Sequence, residues 1–164
     1  MATTFGDTLV AIDVKNLYAA YQRQPVLENI NLQFPAGKWT AIVGPNGAGK
    51  STLFHVLTGS MKALRGSVQA FGEPITTHRT LAQQANILLL DEPLAGVDPP
   101  SERLILDVLA REREAGRTVI MVTHDMPGAR RHVDHVVLIN RFIRGVGAPD
   151  EMLSDAKLAE LAVS

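Results

Sequence analysis

Residues 42–54 read IVGPNGAGKSTLF, and this stretch decides the fold. Within it, Gly44 to Ser51 follow the pattern G-x-x-x-x-G-K-[ST], in which a glycine-rich loop leads from a strand into a helix. Glycines let the backbone bend so that several N–H groups point inward, toward a phosphate chain. An apolar run, WTAIV (39–43), precedes the loop, and a helical pattern, KSTLFHVLTG (50–59), follows it. The stretch therefore predicts a phosphate-binding loop between a buried strand and a helix.

The residues of this loop have distinct predicted roles. Lys50 is expected to reach the β- and γ-phosphates, and the Ser51 hydroxyl is expected to ligate Mg²⁺. The positive end of the helix that begins near Lys50 favours an anion by roughly 0.3–1 kcal/mol. A plain glycine-rich turn is the alternative, and the flanking strand and helix argue against it. The predicted nucleotide-binding set at this loop is Gly44, Asn46, Gly47, Ala48, Gly49, Lys50, Ser51 and Thr52.

An acidic pair follows the apolar run ILLL at 87–90. A carboxylate at the C-terminal end of a parallel strand faces the ligand crevice of an α/β sheet. Asp91 is therefore predicted to hold Mg²⁺, and Glu92 to act as general base on the attacking water, a role worth about 10²–10⁴ in rate. A simple capping turn is the alternative, and it would prevail if no phosphate loop lay upstream.

One histidine of the five has a functional placement. His124 ends the apolar run TVIMV (118–122), so it should reach the same crevice and could donate to the γ-phosphate. The remaining histidines, His55, His78, His132 and His135, lack such a position. The His-x-x-His spacing at 132–135 hints weakly at a metal, but a solvated pair is the better interpretation.

The composition narrows the class of protein. The chain has 164 residues, 46% of them hydrophobic and 20% charged, as in one globular domain. A net charge of −1 excludes the basic footprint of a nucleic-acid-binding protein. The absence of cysteine excludes disulfides and cysteine metal sites. The first residues do not resemble a signal peptide, and no apolar run approaches the ~18 residues that span a bilayer.

The strand patterns predict an α/β fold with a mainly parallel sheet and an antiparallel N-terminal section. The runs at 39–43, 87–90 and 118–122 are almost continuously apolar, which is typical of parallel strands buried on both faces. Segments 8–14 and 27–34 have half-buried patterns, and Ile30, Leu32 and Phe34 alternate with polar residues. Segments 136–140 and 142–147 are expected to form a closing pair of strands.

A long helix is predicted between Asp98 and Gly116. Asp98 is a capping residue, Pro99 suits the first turn and Gly116 suits the end. Its apolar stripe is predicted to comprise Leu104, Ile105, Val108 and Leu109.

Together these motifs resemble the ATP-binding subunit of ABC transporters. GPNGAGKST is similar to the Walker A motif, ILLLDEP to Walker B, LAGVD to the D-loop and VTHD to the switch-histidine loop. The resemblance extends from about Ile12 to Leu153. It implies a P-loop NTPase core of the ABC type, truncated, as a single nucleotide-binding domain over residues 1–164. It also implies ATP and Mg²⁺ as ligands, Asp98 as the D-loop residue, and Tyr21 as an aromatic platform for adenine.

The resemblance also suggests a transported substrate class. GVDPPSE, VTHDM and VVLINRFIRGVGAPDEML are similar to the subset of these subunits that serves importers of zinc, manganese and iron.

The sequence departs from the family between the two Walker motifs. The family has there a strand leading to the Q-loop glutamine, a helical subdomain and the LSGGQ signature. Here GSVQAFGEPITTHR passes almost directly into TLAQQANILLLDEP, so an internal deletion is expected near residues 76–80. No LSGGQ occurs, and Gln69, Gln83 and Gln84 do not occupy the Q-loop position. The loss should uncover apolar surface where the missing strand and helices pack.

The resemblance sets expectations for partners and activity. In the family, the signature of one subunit covers the γ-phosphate held by another, and two copies of this chain have no signature. The motifs thus imply an ABC-type ATP hydrolase with weak turnover alone, since transition-state donors are missing. Expected partners are nucleotide, a transmembrane permease whose docking subdomain is missing, and a second copy or a complete subunit, but not nucleic acid. The expected location is cytoplasmic, peripheral to the inner (plasma) membrane when assembled with a permease.

Three alternatives to an active transport ATPase remain open from the sequence. They are a hydrolysis-deficient nucleotide-binding remnant, an engineered minimal core, and a regulatory partner of a complete subunit.

Overall fold

Two five-stranded sheets form the framework of this protein in a computed structural model that describes residues 4–5, 8–75, 86–124 and 130–163. The predicted junction at 76–80, and with it His78, Gln83 and Gln84, lies outside the described residues. The strands are β1 (Thr4–Phe5), β2 (Thr8–Tyr21), β3 (Gln24–Pro35), β4 (Trp39–Val43), β5 (Arg65–Ala70), β6 (Glu73–Pro74), β7 (Ile87–Asp91), β8 (Thr118–Thr123), β9 (His135–Asn140) and β10 (Phe142–Gly147). The helices are α1 (Lys50–Thr58), α2 (Pro99–Glu114), α3 (Pro149–Met152) and α4 (Asp155–Val163).

The first sheet is antiparallel and confirms the predicted N-terminal section. Strand β2 pairs with β1, β3 and β5, and β5 pairs with β6. Ile30, Leu32 and Phe34 are buried on one face, as their alternation predicts. Strands β5 and β6 were not predicted, because β5 buries only Val68 and Ala70 and carries a glycine. Its strand conformation depends on pairing with β2, which is a tertiary contact.

The second sheet has the order β10-β9-β4-β8-β7 and is mainly parallel. Strands β9, β4, β8 and β7 run parallel, whereas β10 folds back antiparallel on β9. Every residue of β4 and β8 is buried, as the continuous apolar runs predict. The closing pair of strands is also confirmed.

The prediction that the ILLL strand is buried on both faces is wrong. Only Ile87 is buried, and Leu88, Leu89 and Leu90 are half-buried. The physical reason is position, because β7 pairs only with β8 among the described strands and thus forms the edge of the sheet. An edge strand has apolar side chains that fewer neighbours cover.

Helix α2 has the predicted N-terminus but a different buried face. The Asp98 carboxylate accepts a hydrogen bond from the Ser101 amide at 3.1 Å, and proline occupies the first turn. Leu104 and Val108 are exposed, so their place in the predicted stripe is wrong. Leu109 is buried and Ile105 is half-buried against the core, as predicted, and Leu106 is buried although it was not predicted. The segment has apolar residues on more than one side, and packing against β8 selects which side is buried. Within the described ranges, no helix has the length and apolar character needed to cross a bilayer.

We expect Gly44 to tolerate alanine worse than Gly47 does. A Cβ at Gly44 would lie 2.2 Å from the Ile139 carbonyl oxygen, so backbone must shift. A Cβ at Gly47 meets nothing within 4 Å, and its φ of +80° adds strain of about 1–2 kcal/mol. Thermal unfolding should therefore give a lower Tm for Gly44→Ala than for Gly47→Ala. Equal Tm values would contradict the close approach of β9 to the loop.

Candidate nucleotide-binding site

The N-terminus of α1 offers unpaired backbone donors. Gly49 caps the helix in the left-handed conformation, at φ 98°, and no side chain accepts from the first turn. No acidic residue lies in that turn. The N–H groups and the positive end of the helix dipole are therefore available to an anion.

The loop before α1 packs between β3 and β9, which are far from it in the sequence. A Cβ at Gly49 would lie 2.5 Å from Leu27 of β3, and one at Gly44 would meet Ile139 of β9. The Arg141 amide, just beyond β9, donates to the Ala48 carbonyl at 2.9 Å. Glycine is favoured at Gly44 because a Cβ would collide with backbone, and at Gly49 because its φ of 98° strains any other residue. The surrounding strands therefore preorganise the loop.

The Lys50 ammonium lies inside this loop. Its side chain is buried and donates to the carbonyls of Gly44 and Pro45. Burial lowers the pKa of Lys50 below its usual 10.5, and the nearby charges of Glu92 and Asp91 partly oppose this shift. A buried cation of this kind gains most from a bound anion such as a phosphate.

A cavity of about 540 Å³ opens over the loop and joins it to the acidic pair. The structure thus brings together most of the predicted site residues, and their functional roles stay predictions. The nominated residues that line the cavity are Tyr21, Asn46, Gly47, Ala48, Gly49, Lys50, Ser51, Thr52, Asp91 and Glu92.

Three other predicted site residues, Gly44, Asp98 and His124, do not line this cavity; His124 lies beside it, in contact with Glu92. Gly44 lies beneath the loop, where its carbonyl accepts from Lys50. Asp98 is exposed and caps α2, and hydrogen bonds from Ser101 lower its pKa. The D-loop role of Asp98 stays a prediction.

Sequence reasoning missed four residues that line the cavity: Val26, His55, Met61 and Val122. His55 was set aside because it does not follow a strand. It lies four residues after Ser51 on α1, so both project from the same helix face. That spacing is the signal that could have identified it. Val26 and Met61 come from segments that only the tertiary fold brings to the loop.

Ser51 and Asp91 fit a magnesium ion. Both line the cavity and offer the hard oxygen ligands that Mg²⁺ prefers, and this ion usually takes one or two carboxylates together with substrate phosphates. Among the described residues there is no cluster of three or more His, Asp or Glu side chains suited to a metal. His132 stacks on Trp39 with ring centroids 6.0 Å apart, and His135 begins β9. Both histidines are half-buried, so the prediction of a solvated pair is wrong.

Glu92 and His124 contact each other directly. The Nδ1 atom of His124 lies 2.8 Å from Oε1 of Glu92, and the His124 amide donates to Oε2 at 3.3 Å. A carboxylate only accepts, so Nδ1 carries the proton and Nε2 is left for another partner. The two predicted catalytic side chains therefore form one unit at the carboxyl ends of β7 and β8.

The backbone at Glu92 is held in an uncommon conformation. Its φ is +48°, although it is not a glycine, and its amide donates to the Val122 carbonyl at 2.8 Å. Such conformations cost about 1–3 kcal/mol and concentrate at functional sites. The neighbouring strand β8 thus fixes the direction of the Glu92 carboxylate.

Comparison with known proteins agrees with this fold. The sequence profile of the ABC transporter family matches residues 27–80. The manganese transport system ATP-binding protein MntB of Bacillus subtilis is 26% identical over 207 residues, covering 79% of this chain and 83% of that protein. The zinc transport system ATP-binding protein TroB of Treponema pallidum is 24% identical over 219 residues, covering 86% and 82%.

The solved structures show the same fold. A nucleotide-free ATP-binding cassette from an ABC transporter superposes with a TM-score of 0.84 at 18% identity, covering 94% of this chain and 99% of that one. The chain therefore has the fold of an ATP-binding cassette, and its sequence is similar to that of ABC transporter ATP-binding proteins, as its motifs predict. It is truncated relative to its relatives, because alignments of 207 and 219 positions exceed its 164 residues.

We expect nucleotide affinity to fall as the pH rises, and to do so at a pH below 10.5, the usual pKa of lysine. Burial lowers the pKa of Lys50, so the free protein loses this cation before pH 10.5, and the attraction to phosphate is lost with it. Titration calorimetry with ATP in the absence of Mg²⁺, from pH 7 upward, should show this loss. Lys50→Arg is the matched control, because arginine stays charged throughout. The same pH profile in both proteins would show that another group titrates.

Proposed function

We propose that this chain binds Mg-ATP at a half-site and derives from the ATP-binding subunit of an importer for metal cations. The observation that carries the proposal is the single cavity in which the Lys50 loop meets Asp91 and Glu92. A phosphate cradle joined to a carboxylate pair is the arrangement that phosphoryl transfer to water requires.

The loop provides the binding energy for the phosphates. The free amides at the start of α1 and the Lys50 ammonium donate to phosphate oxygens, and the wedged loop loses little conformational freedom on binding. Tyr21 lies at the same cavity and is 57% exposed, which leaves a ring face for the base. Stacking on an aromatic face gives affinity with little discrimination between bases.

Ser51 and Asp91 are proposed to hold Mg²⁺, with the hydroxyl as one ligand and the carboxylate acting directly or through water. When bound, this ion neutralises charge on the β- and γ-phosphates.

Glu92 is proposed to accept the proton of the attacking water. Its carboxylate lines the cavity, and its hydrogen bonds with His124 fix its orientation. In its protonated form, His124 can donate through Nε2, the nitrogen that does not face Glu92, to a γ-phosphate oxygen. The histidine would thus position the base and contact the substrate in the same step.

The substrate class and the partner are inferred from the relatives. The proteins named above serve manganese and zinc transport, and the sequence motifs at 96–102 and 136–153 favour the same group. We infer that the functional assembly includes a transmembrane permease, which places the chain on the cytoplasmic side, peripheral to the membrane. Because the helical subdomain is absent, docking to a permease would require a second, complete subunit.

We infer one nucleotide-binding domain over residues 1–164, with an internal deletion near 76–80. The family match ends at residue 80, and the Walker B segment follows within a few residues. The edge position of β7 and its half-buried leucines are consistent with the loss of a neighbouring strand.

A nucleotide-binding module with little turnover is the second candidate. The absence of LSGGQ between Lys50 and Asp91 favours it, because the signature supplies donors to the γ-phosphate from the opposite subunit. A phosphate loop alone binds ground state and transition state about equally, and uniform binding does not accelerate chemistry.

The proposed function is tested with Glu92→Gln and Lys50→Ala. Glu92→Gln keeps the shape of the side chain but removes the proton acceptor, so phosphate release should fall by about 10²-fold or more while Mg-ATP affinity persists. Lys50→Ala should weaken Mg-ATP binding by about tenfold or more. Calorimetry and a phosphate-release assay on the same preparations check both. Absence of Mg-ATP binding by the folded wild-type chain would overturn the proposal, and wild-type turnover in Glu92→Gln would remove Glu92 as the base.

Turnover as a function of protein concentration distinguishes the two candidates. We expect the chain alone to release little phosphate at any concentration, and Mg-ATP at a hundred times its Kd to stabilise it by about 2.7 kcal/mol. Addition of a complete homologous subunit should raise turnover if a borrowed signature completes the site. Robust hydrolysis by the pure chain, rising steeply with concentration and lost in Lys50→Ala, would contradict weak turnover alone.

A further inference from the structure

We propose that Glu28 and Arg141 form a clamp that holds the phosphate loop in its binding conformation, with Arg141 as a positioning residue that does not touch the nucleotide. The inference rests on the proposed function of the loop. The Glu28–Arg141 clamp consists of one ion pair and the backbone hydrogen bonds that adjoin it.

The clamp joins the two segments that enclose the loop. Glu28 follows Leu27, whose side chain contacts Gly49, and Arg141 comes two positions after Ile139, whose carbonyl abuts Gly44. The two residues are 113 positions apart in the chain. They therefore link β3 of the antiparallel sheet to the turn between β9 and β10 in the other sheet.

Two hydrogen bonds join Glu28 to Arg141, and a third joins Arg141 to the loop. Nη2 of Arg141 donates to Oε1 of Glu28 at 2.5 Å, and the Glu28 amide donates to the Arg141 carbonyl at 3.1 Å. The Arg141 amide then donates to the Ala48 carbonyl at 2.9 Å. Because the ion pair and both backbone bonds share Arg141, the side chain controls where its own amide meets the loop.

The Glu28–Arg141 ion pair is expected to position the loop without adding much to the free energy of unfolding. The Arg141 side chain is 52% exposed and that of Glu28 is 28% exposed, and ion pairs of this kind add little to folding free energy. Arg141 also holds a φ of +65°, an uncommon conformation for a non-glycine residue. Loss of the pair should therefore leave Tm nearly unchanged. It should instead widen the range of loop conformations, which reduces ligand affinity.

The test uses four single variants and one double variant. Arg141→Met removes the charge, Arg141→Lys keeps it, and Glu28→Gln removes the other half of the pair. Arg144→Met is the matched control, because Arg144 lies 5.3 Å from the Phe142 ring that Arg141 also faces, and its guanidinium bonds to the Asn140 carbonyl instead of Glu28.

The first measurement is amide hydrogen exchange in the nucleotide-free protein, which reports the loop directly. We expect exchange at residues 46–50 to rise about tenfold in Arg141→Met and Glu28→Gln, with β8 unchanged. Arg141→Lys should restore most of the protection, and Arg144→Met should match wild type. Unchanged exchange in Arg141→Met would overturn the clamp.

The second measurement is Mg-ATP affinity. We expect Kd to rise about three- to tenfold in either single variant, and the double variant Glu28→Gln/Arg141→Met to be no weaker than the singles, since both remove one interaction. Additive losses of affinity in the double variant would overturn the positioning role. A fall in Tm that accompanies the loss of affinity would overturn it as well. Failure of the wild type to bind Mg-ATP would overturn the proposed function but not the clamp, because hydrogen exchange tests the clamp without nucleotide.

Discussion

Parallel pairing of β4 with its neighbours is the constraint on which the rest of the site depends. Val43 of β4 lies opposite Thr123 of β8, and Asp91 of β7 lies opposite Val122 of β8. The carboxyl ends of three strands therefore reach one edge of the sheet at nearly the same level. A shift of register between these strands would separate the phosphate loop from the acidic pair, although every motif would still be present in the sequence.

The phosphate loop adds a second constraint, because it has no room to move. At Gly44 a side chain would collide with the backbone of β9, and at Gly49 it would meet the Leu27 side chain of β3, so the loop packs closely against both strands. The buried Lys50 ammonium then satisfies loop carbonyls while its pKa is held low by burial. The result is a preformed cradle with positive charge and backbone amides, which reduces the conformational entropy that the loop loses when a ligand binds.

The acidic side of the site is less enclosed. Glu92 is oriented by His124 and by an uncommon backbone conformation, but β7, which carries it, is the edge of its sheet. The half-buried leucines of this strand distinguish it from β4 and β8, which are covered on both faces. The proposed phosphate-binding side of the site thus lies next to strands that are fully covered, whereas the proposed catalytic carboxylate lies on a strand that is only half-covered.

The sequence by itself determined the local elements whose signals are short-range. The loop motif, the strands that bury both faces, the Asp98 cap of α2 and the closing pair of strands were all predicted, because glycine geometry, apolar continuity and capping chemistry are encoded in adjacent residues. The family resemblance added Tyr21, whose place at the cavity no local pattern indicates.

Only the tertiary structure decided the features that depend on contacts between distant residues. Four features depend on which neighbouring element is present. They are the edge position of β7, the buried face of α2, the formation of strand β5, and the position of His55 in the lining of the cavity. The link from Glu28 to Arg141 and on to Ala48 joins residues that no sequence window contains together. The physical reason is the same in each case. Burial and long-range hydrogen bonding are properties of the packed chain, whereas propensity and capping are properties of its segments.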